Sequence, residues 1–255
     1  MDDAELMARE LASQKATFRA LAVGSAGGEV LERDGLLACL SPGTPDTSIP
    51  NGVFYGDAEA LLAAREELEE LYARAGVRAW TVWVRPGDRE VARALEAAGH
   101  ALDGTPALMA ARIEEMDLEP RGALDLVADA RWEEVGRVND VAYGAPHFER
   151  LLQGARPPGL VAYAARAGGH VAAVACVVHE DGDCGVSLVA TVQEARGRGL
   201  CSELLRLALR EAHAAGCVTT SLEATALGQP VYERLGYRVL GRIEMWEHRV
   251  PAPAV

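Results

Sequence analysis

The stretch that most constrains this chain is Thr191-Val192-Gln193-Glu194-Ala195-Arg196-Gly197-Arg198-Gly199-Leu200-Cys201-Ser202. A β-rich run, Val186 to Val192, leads into it, and a strongly helical run, Leu200 to Ala215, leads out. A glycine-rich turn between a strand and a helix leaves the first helical N–H groups without intrahelical partners. Those groups, with the positive end of the helix dipole, make an anion site. Gly197 and Gly199 permit the backbone angles and close approach that a phosphate needs. Arg196 and Arg198 can add charge-assisted bonds. The glycines fit neither the dinucleotide spacing G-x-G-x-x-G nor the Walker phosphate loop, and no Lys-Ser/Thr pair comes after them. Taken alone, the turn reads equally well as plain structure, and the residues C-terminal to it decide its meaning.

A chain of 255 residues holds one large domain or two of ordinary size. Its apolar fraction of 49% is ample for a core. No apolar run approaches the ~20 residues of a membrane span, so no membrane partner is expected. The opening stretch, Met1 to Gln14, is acidic and polar, unlike a secretory signal, and a cytoplasmic location is expected. The net charge of −13 sets a field that repels nucleic acid and mildly favours a cationic acceptor. Five cysteines, Cys39, Cys176, Cys184, Cys201 and Cys217, are odd in number and widely spaced, without C-x-x-C. Neither a disulfide framework nor a zinc site is indicated by them. The six histidines include no H-E-x-x-H, and no metal is expected.

The two halves repeat one order of elements. The pattern predicts a helix over 3–22, a hairpin over 29–40 turning at Asp34-Gly35, and a strand over 53–55. Next comes a helix over 57–75, with Asp57 as N-cap and Gly76 as stop. Strands over 79–84 and 107–113 flank a helix over 89–98. After a polar segment at 117–123 come a strand over 124–127, a helix over 130–143 and a turn or short helix over 145–152. Strands over 160–165, 171–179 and 185–192 feed the loop. Beyond the 200–215 helix come a strand over 217–224, a helix over 229–235 and two terminal strands. Ala73-Arg-Ala-Gly76 aligns with His213-Ala-Ala-Gly216, and Ala94-Leu-Glu-Ala-Ala-Gly-His100 with Val231-Tyr-Glu-Arg-Leu-Gly-Tyr237. This suggests a duplicated domain, divided as 1–118 and 119–255. Where the second half has its glycine-rich loop, the first has Tyr55-Gly-Asp-Ala-Glu-Ala, whose anionic side chains would repel phosphate.

The second half resembles the GNAT superfamily of N-acetyltransferases. The resemblance rests on Val192-x-x-x-Arg196-Gly197-Arg198-Gly199-Leu200 followed by helix and strand, and on Tyr232-Glu-Arg-Leu-Gly-Tyr237 about 30 residues further on. It implies an α/β (α+β) fold of tandem GNAT-like domains, each a mixed, mostly antiparallel sheet flanked by helices, the first a degenerate repeat without the loop. It also implies a bulge near 189–192 where strands splay to admit the pantetheine of acetyl-CoA, the expected co-substrate. Backbone groups of Val189, Ala190, Thr191 and Val192 would then pair with pantetheine. The N–H groups of Arg196, Gly197, Arg198, Gly199, Leu200, Cys201 and Ser202 would cradle the pyrophosphate, with Thr225 nearby. Gln193 and Cys201 depart from the family's usual Pro and Gly/Ala. Cys201 still supplies its main-chain donor, and its side chain is expected to pack as a small hydrophobe.

Acetyl transfer to an amine needs an ammonium to lose a proton, a thioester carbonyl to be polarised and a thiolate to be reprotonated. By the resemblance, Tyr232 is the candidate general acid. With an ordinary pKa near 10 it is protonated at neutral pH. Glu223, on the strand after the long helix, and Asp183, before the strand entering the loop, are candidate bases. Strand alternation puts Glu223 and Thr225 on one face. The carbonyl is expected to meet a backbone N–H near Thr191 or Val192. Trp246, Tyr143 and His147 could line the acceptor cleft. The leading expectation is an acetyl-CoA-dependent N-acetyltransferase of a small-molecule or protein amine, acting as monomer or homodimer. The alternative is a non-catalytic acyl-CoA-binding or interaction module.

Overall fold

The computed structural model describes residues 1–33, 35–122, 124–144, 147–153 and 156–250. The chain opens with α1 (Asp3–Gly24), capped by the Asp2 carboxylate on the Glu5 N–H. The hairpin β1 (Glu29–Arg33) and β2 (Leu36–Leu40) pairs Arg33 with Leu36. Asp34, half of its expected turn, lies outside the described residues. Then come β3 (Gly52–Tyr55), α2 (Ala58–Ala63), α3 (Arg65–Arg74), β4 (Ala79–Val84) and α4 (Arg89–Ala97). The single helix expected over 57–75 is therefore interrupted at Ala64, although its N-cap is the expected Asp57. Two strands, β5 (Ala101–Gly104) and β6 (Ala107–Arg112), close this half. The short β5 was not legible in the sequence.

The second half runs β7 (Asp125–Ala128), α5 (Trp132–Tyr143), α6 (Phe148–Leu151), β8 (Leu160–Ala167), β9 (His170–Glu180) and β10 (Asp183–Thr191). The expected turn over 145–152 thus contains a short helix, while Ala145 and Pro146 lie outside the described residues. After the glycine-rich loop come α7 (Leu200–Ala214), β11 (Thr219–Ala224), α8 (Gln229–Leu235), β12 (Arg238–Arg242) and β13 (Glu244–Arg249).

Two mixed, mostly antiparallel sheets result, in the orders β1-β2-β3-β4-β13-β5 and β7-β8-β9-β10-β11-β6-β12. Among the described residues each has one parallel pair at its middle, β3–β4 in the first and β10–β11 in the second. Superposing the two orders makes β13 the counterpart of β6. Those two strands have changed places. β6, from the first half, lies between β11 and β12, and β13, from the second half, lies between β4 and β5. The 118/119 division therefore does not coincide with a division between sheets.

Burial explains why the exchange holds. In β6, Ala107 to Ala111 are all buried, so both faces of this strand are covered. Returned to its own half it would leave the second sheet broken between β11 and β12. Burying a side chain of this kind contributes about 1.5–3 kcal/mol for the larger apolar residues, so neither strand can leave without a large loss. The helix α1 adds a further tie, packing on β1 and β2 and also on β6, β9, β10 and β11.

Candidate functional site

In the second sheet, β10 and β11 run parallel only from Asp183↔Thr219 to Val186↔Leu222. Beyond that pair they part. The cause is a bulge in β10 between Ser187 and Ala190, where Leu188 takes a left-handed backbone, φ 49°. A non-glycine residue there is strained and is held only by its surroundings. Asn139, buried on α5, holds it by donating from Nδ2 to the Leu188 carbonyl at 3.3 Å. The bulge sits slightly earlier than the expected 189–192.

The parted strands open a cleft of about 630 Å³ lined by Val189, Ala190, Thr191, the loop from Ala195 to Ser202, and Thr225 to Tyr232 on the far wall. The β10 main chain is divided between two tasks. The Val192 N–H donates to the Ala172 carbonyl at 2.9 Å, and Ala190 pairs with Val174, so both face β9. Antiparallel alternation then turns Val189 and Thr191 toward the cleft. Their carbonyls confirm the direction. That of Val189 accepts from the Tyr143 hydroxyl at 3.3 Å, and that of Thr191 accepts from Arg196 Nε at 3.2 Å. Of the four residues expected to pair with an extended ligand, two offer the needed groups. Ala190 lines the cleft without offering its N–H, and Val192 belongs to the sheet.

The loop turns through Gln193–Ala195 as one tight 3-10 turn and then through Gly197 (φ 74°) and Gly199 (φ 79°). Gly199 is the N-cap of α7 and brings no side chain to its amides. The first intrahelical bond runs from the Glu203 N–H to the Gly199 carbonyl. The N–H groups of Leu200, Cys201 and Ser202 therefore precede the helix's own ladder and stand at the positive end of a 15-residue helix. Arg198 does not line this cleft. It borders an adjoining depression of about 300 Å³ with Arg121, Ser202, Arg206 and Arg234. Cys201 packs half-buried against the core, and burial pushes its thiol up to about 12, so it is a packing residue as expected.

Tyr232 sits on α8 at the floor of the cleft, 8% exposed. Burial holds its hydroxyl well above the ordinary tyrosine range, with smaller contributions from Cys201, Tyr143 and Glu223. Thr225 lies just past the end of β11 and lines the same cleft. Glu223 does not. It faces the other side of the strand gap, where a cavity of about 30 Å³ is lined by Glu10, Ser13, Gln14 and Thr17 of α1 together with Ser187, Ser221 and Glu223. The expected common face for Glu223 and Thr225 fails because the strand ends between them, at Ala224.

Glu10 was missed in the sequence. Its carboxyl is buried, 1% exposed, and hydrogen-bonds to Glu223. Burial, then the Glu223 charge, raise the Glu10 pKa well above the ordinary carboxylate range, while burial also raises that of Glu223. The legible signal was a buried polar stripe, Glu10, Ser13, Gln14 and Thr17, at helical spacing where a core face would be apolar.

Asp183 is placed elsewhere. It opens β10 at the end opposite the divergence, 1% exposed, and its Oδ2 accepts from Ser13 Oγ at 2.7 Å and from Ser221 Oγ. It lines neither side of the gap and serves to join α1, β10 and β11. Trp246 belongs to β13 in the first sheet and packs in that core, so it does not line the acceptor side. Tyr143 borders the cleft, whereas the His147 main chain is bound by Asp140 at the α5–α6 turn.

Residues 125–237 match the model of the acetyltransferase (GNAT) family. Comparison with curated protein sequences gives no match. Among solved structures, a GCN5-related N-acetyltransferase from Kribbella flavida is similar over 93% of this chain and 95% of its own, at 19% identity and TM-score 0.67. A tandem GNAT protein from the clavulanic acid biosynthesis pathway is similar over 98% and 97%, at 16% identity and TM-score 0.57. A GCN5-related N-acetyltransferase from Sphaerobacter thermophilus is similar over 100% and 96%, at 16% identity and TM-score 0.56. These likenesses span both halves and show a shared tandem fold.

Proposed function

We propose that the chain is an acetyl-CoA-dependent N-acetyltransferase of an amine, with one acetyl-CoA site per chain. The observation that carries this reading is the pairing of a strand gap with an open helix N-terminus at its mouth. The residues fit the co-substrate. A cleft of about 630 Å³ lies in the range of small-molecule sites. Val189 and Thr191 offer main-chain groups to the amides of pantetheine, and Gly197 to Ser202 offer N–H groups to the pyrophosphate. The arginine-rich depression containing Arg198 suits the remaining phosphate of the CoA nucleotide.

On this reading the chemistry falls to three groups. The Val189 N–H, beside the strained Leu188, is aimed into the gap and polarises the thioester oxygen. The Tyr232 hydroxyl, held protonated by burial, gives its proton to the departing sulfur. Glu223, beside Glu10, takes the proton from the incoming ammonium. Glu223 faces the α1 side of the sheet, where a cavity of about 30 Å³ has room for water but not for an amine, so the proton reaches it through that water. Two buried carboxyl groups on that side suit a cationic amine, in keeping with the acidic chain. The family match over residues 125–237 and the fold support this reading, and the positions of Tyr232 and Glu223 on opposite sides of one gap support the roles.

The test has two parts. Acetyl-CoA should raise Tm by mass action, and a panel of polyamine and amino-sugar acceptors should release CoA thiol. Failure to bind acetyl-CoA would overturn the cleft assignment. Binding without release on any amine would favour a non-catalytic acyl-CoA-binding module.

A further inference from the structure

A second polar cluster lies in the first sheet and shares no residue with the cleft. Glu69 comes from α3, His100 from the turn before β5, and His248 from β13, the strand delivered by the other half. Each offers one ligand atom, and the three atoms lie within 4.8 Å of one another. His100 is 4% exposed. Its Nδ1 lies 3.5 Å from the Trp246 carbonyl oxygen, which fixes the proton on that nitrogen and turns the lone pair to Nε2. That Nε2 is buried with no hydrogen-bond partner among the described residues, and so is Nδ1 of His248. Buried polar atoms ordinarily find partners, and two unpartnered imidazole nitrogens beside a carboxylate are unexplained by packing alone.

The rings are also held in place. Trp80 meets His100 edge to face at 4.9 Å and stacks on His248 at 5.3 Å. Tyr72, from α3, also stacks on Trp80 at 4.8 Å. Burial and the neighbouring His248 lower the His100 pKa to about 4, so its imidazole is neutral under ordinary conditions.

We propose that Glu69, His100 and His248 form a binding site for a divalent zinc ion that ties the exchanged strand β13 to α3 and to the start of β5. Two imidazoles and one carboxylate make a ligand set that zinc accepts, with a water completing the tetrahedron. Magnesium and calcium, which prefer all-oxygen shells, are poor fits. With metal–ligand bonds of about 2.0–2.2 Å, atoms on a tetrahedral ion stand roughly 3.3–3.5 Å apart. Glu69 and His248 are half-buried and can close the remaining ångström. A carbonyl behind the His100 ring is the usual outer support of a ligating histidine. The ion strengthens the one place where the second half is woven into the first, because it binds ligands from separate elements that only the folded chain assembles.

The experiment uses the full chain stripped with chelator and titrated with zinc chloride by calorimetry, with Tm and the Co2+ visible spectrum as further readouts. One equivalent of zinc should bind, Tm should rise, and Co2+ should give tetrahedral absorption bands. His248→Ala and Glu69→Gln should each weaken binding at least about tenfold, whereas His213→Ala, on α7, should leave it unchanged. If a variant fails to fold, the 15N imidazole signals of the native protein decide: zinc should shift both His100 and His248. Absence of saturable binding overturns the proposal. So does zinc binding that survives His248→Ala undiminished or shifts neither ring.

Discussion

The two halves meet the same structural junction, a central strand turning into a helix, and finish it in opposite ways. In the first half the helix after β3 is capped by Asp57, whose Oδ1 accepts from the Glu59 N–H at 2.9 Å. A carboxylate thus sits where an anion would bind. Glu59 adds a second negative charge in that first turn. In the second half the cap is Gly199, and the amides after it are open. The strands differ likewise. β10 carries a bulge that parts it from β11, while the end of β3 is closed by Tyr55, whose hydroxyl bonds Asp88 at 2.7 Å and whose ring lies under Arg85. One fold therefore carries a ligand site or a plugged junction according to a few residues at one corner, which is why function is read from the corner and not from the fold.

The change expected to have the largest effect is Gly199→Val. A Cβ at Gly199 would meet nothing within 4 Å, so there is no clash to absorb. The cost arises from φ 79°, which a β-branched residue does not hold, and from a side chain projecting over the open amides. CoA binding should be abolished with the circular dichroism spectrum retained. Normal CoA affinity in this variant would remove the loop from the site.

Next in size is Tyr232→Phe. It should lower kcat by about 10²–10⁴-fold, the usual contribution of a positioned acid, while acetyl-CoA affinity stays near normal. An unchanged kcat would take the proton donor away from Tyr232.

The polar stripe of α1 gives a third. In the folded chain Glu10 holds a raised pKa, so above its unfolded value of about 4.3 the native state binds more protons than the unfolded state. Stability should fall as pH rises through that window. Glu10→Gln keeps a donor for Glu223 but cannot ionise, so its Tm should decline less steeply above that pH. Parallel Tm–pH curves for the two proteins would mean that Glu10 does not hold the extra proton.

The smallest effect sharpens the comparison from the other side. Asp57→Ala should cost about 0.5–2 kcal/mol through the lost cap, measured by urea unfolding, and should create no second CoA site, because Tyr55 still closes the end of β3 against Arg85 and Asp88. A second equivalent of CoA bound by this variant would show that the carboxylate alone had blocked the junction.

Much of this organisation was legible in the sequence. The loop, its flanking strand and helix, and the repeat of elements come from local chemistry: glycine where φ is positive, helical periodicity over 200–214, and Asp57 at a helix start. What was not legible is non-local. β6 reads as a central strand from its buried run of small and apolar residues, but nothing in Ala107–Arg112 states which sheet it completes. The break at Ala64 carries neither Pro nor Gly and is marked only by a change in backbone angle there. Asp183 and Glu223 looked equivalent as carboxylates near the loop. The register separates them, since Asp183 pairs at the closed end of the parallel pair and Glu223 stands just past its last rung. The helical spacing of Glu10, Ser13, Gln14 and Thr17 marks a polar stripe, but that it is buried follows only from the packing of α1 on β9, β10 and β11.

The contrast between the two junctions is tested most directly by calorimetric titration of the unaltered chain with acetyl-CoA. One equivalent should bind, through the glycine-capped helix of the second half. Two equivalents would show that the Asp57 junction is also a site, and none would show that the open amides of α7 do not hold a CoA pyrophosphate.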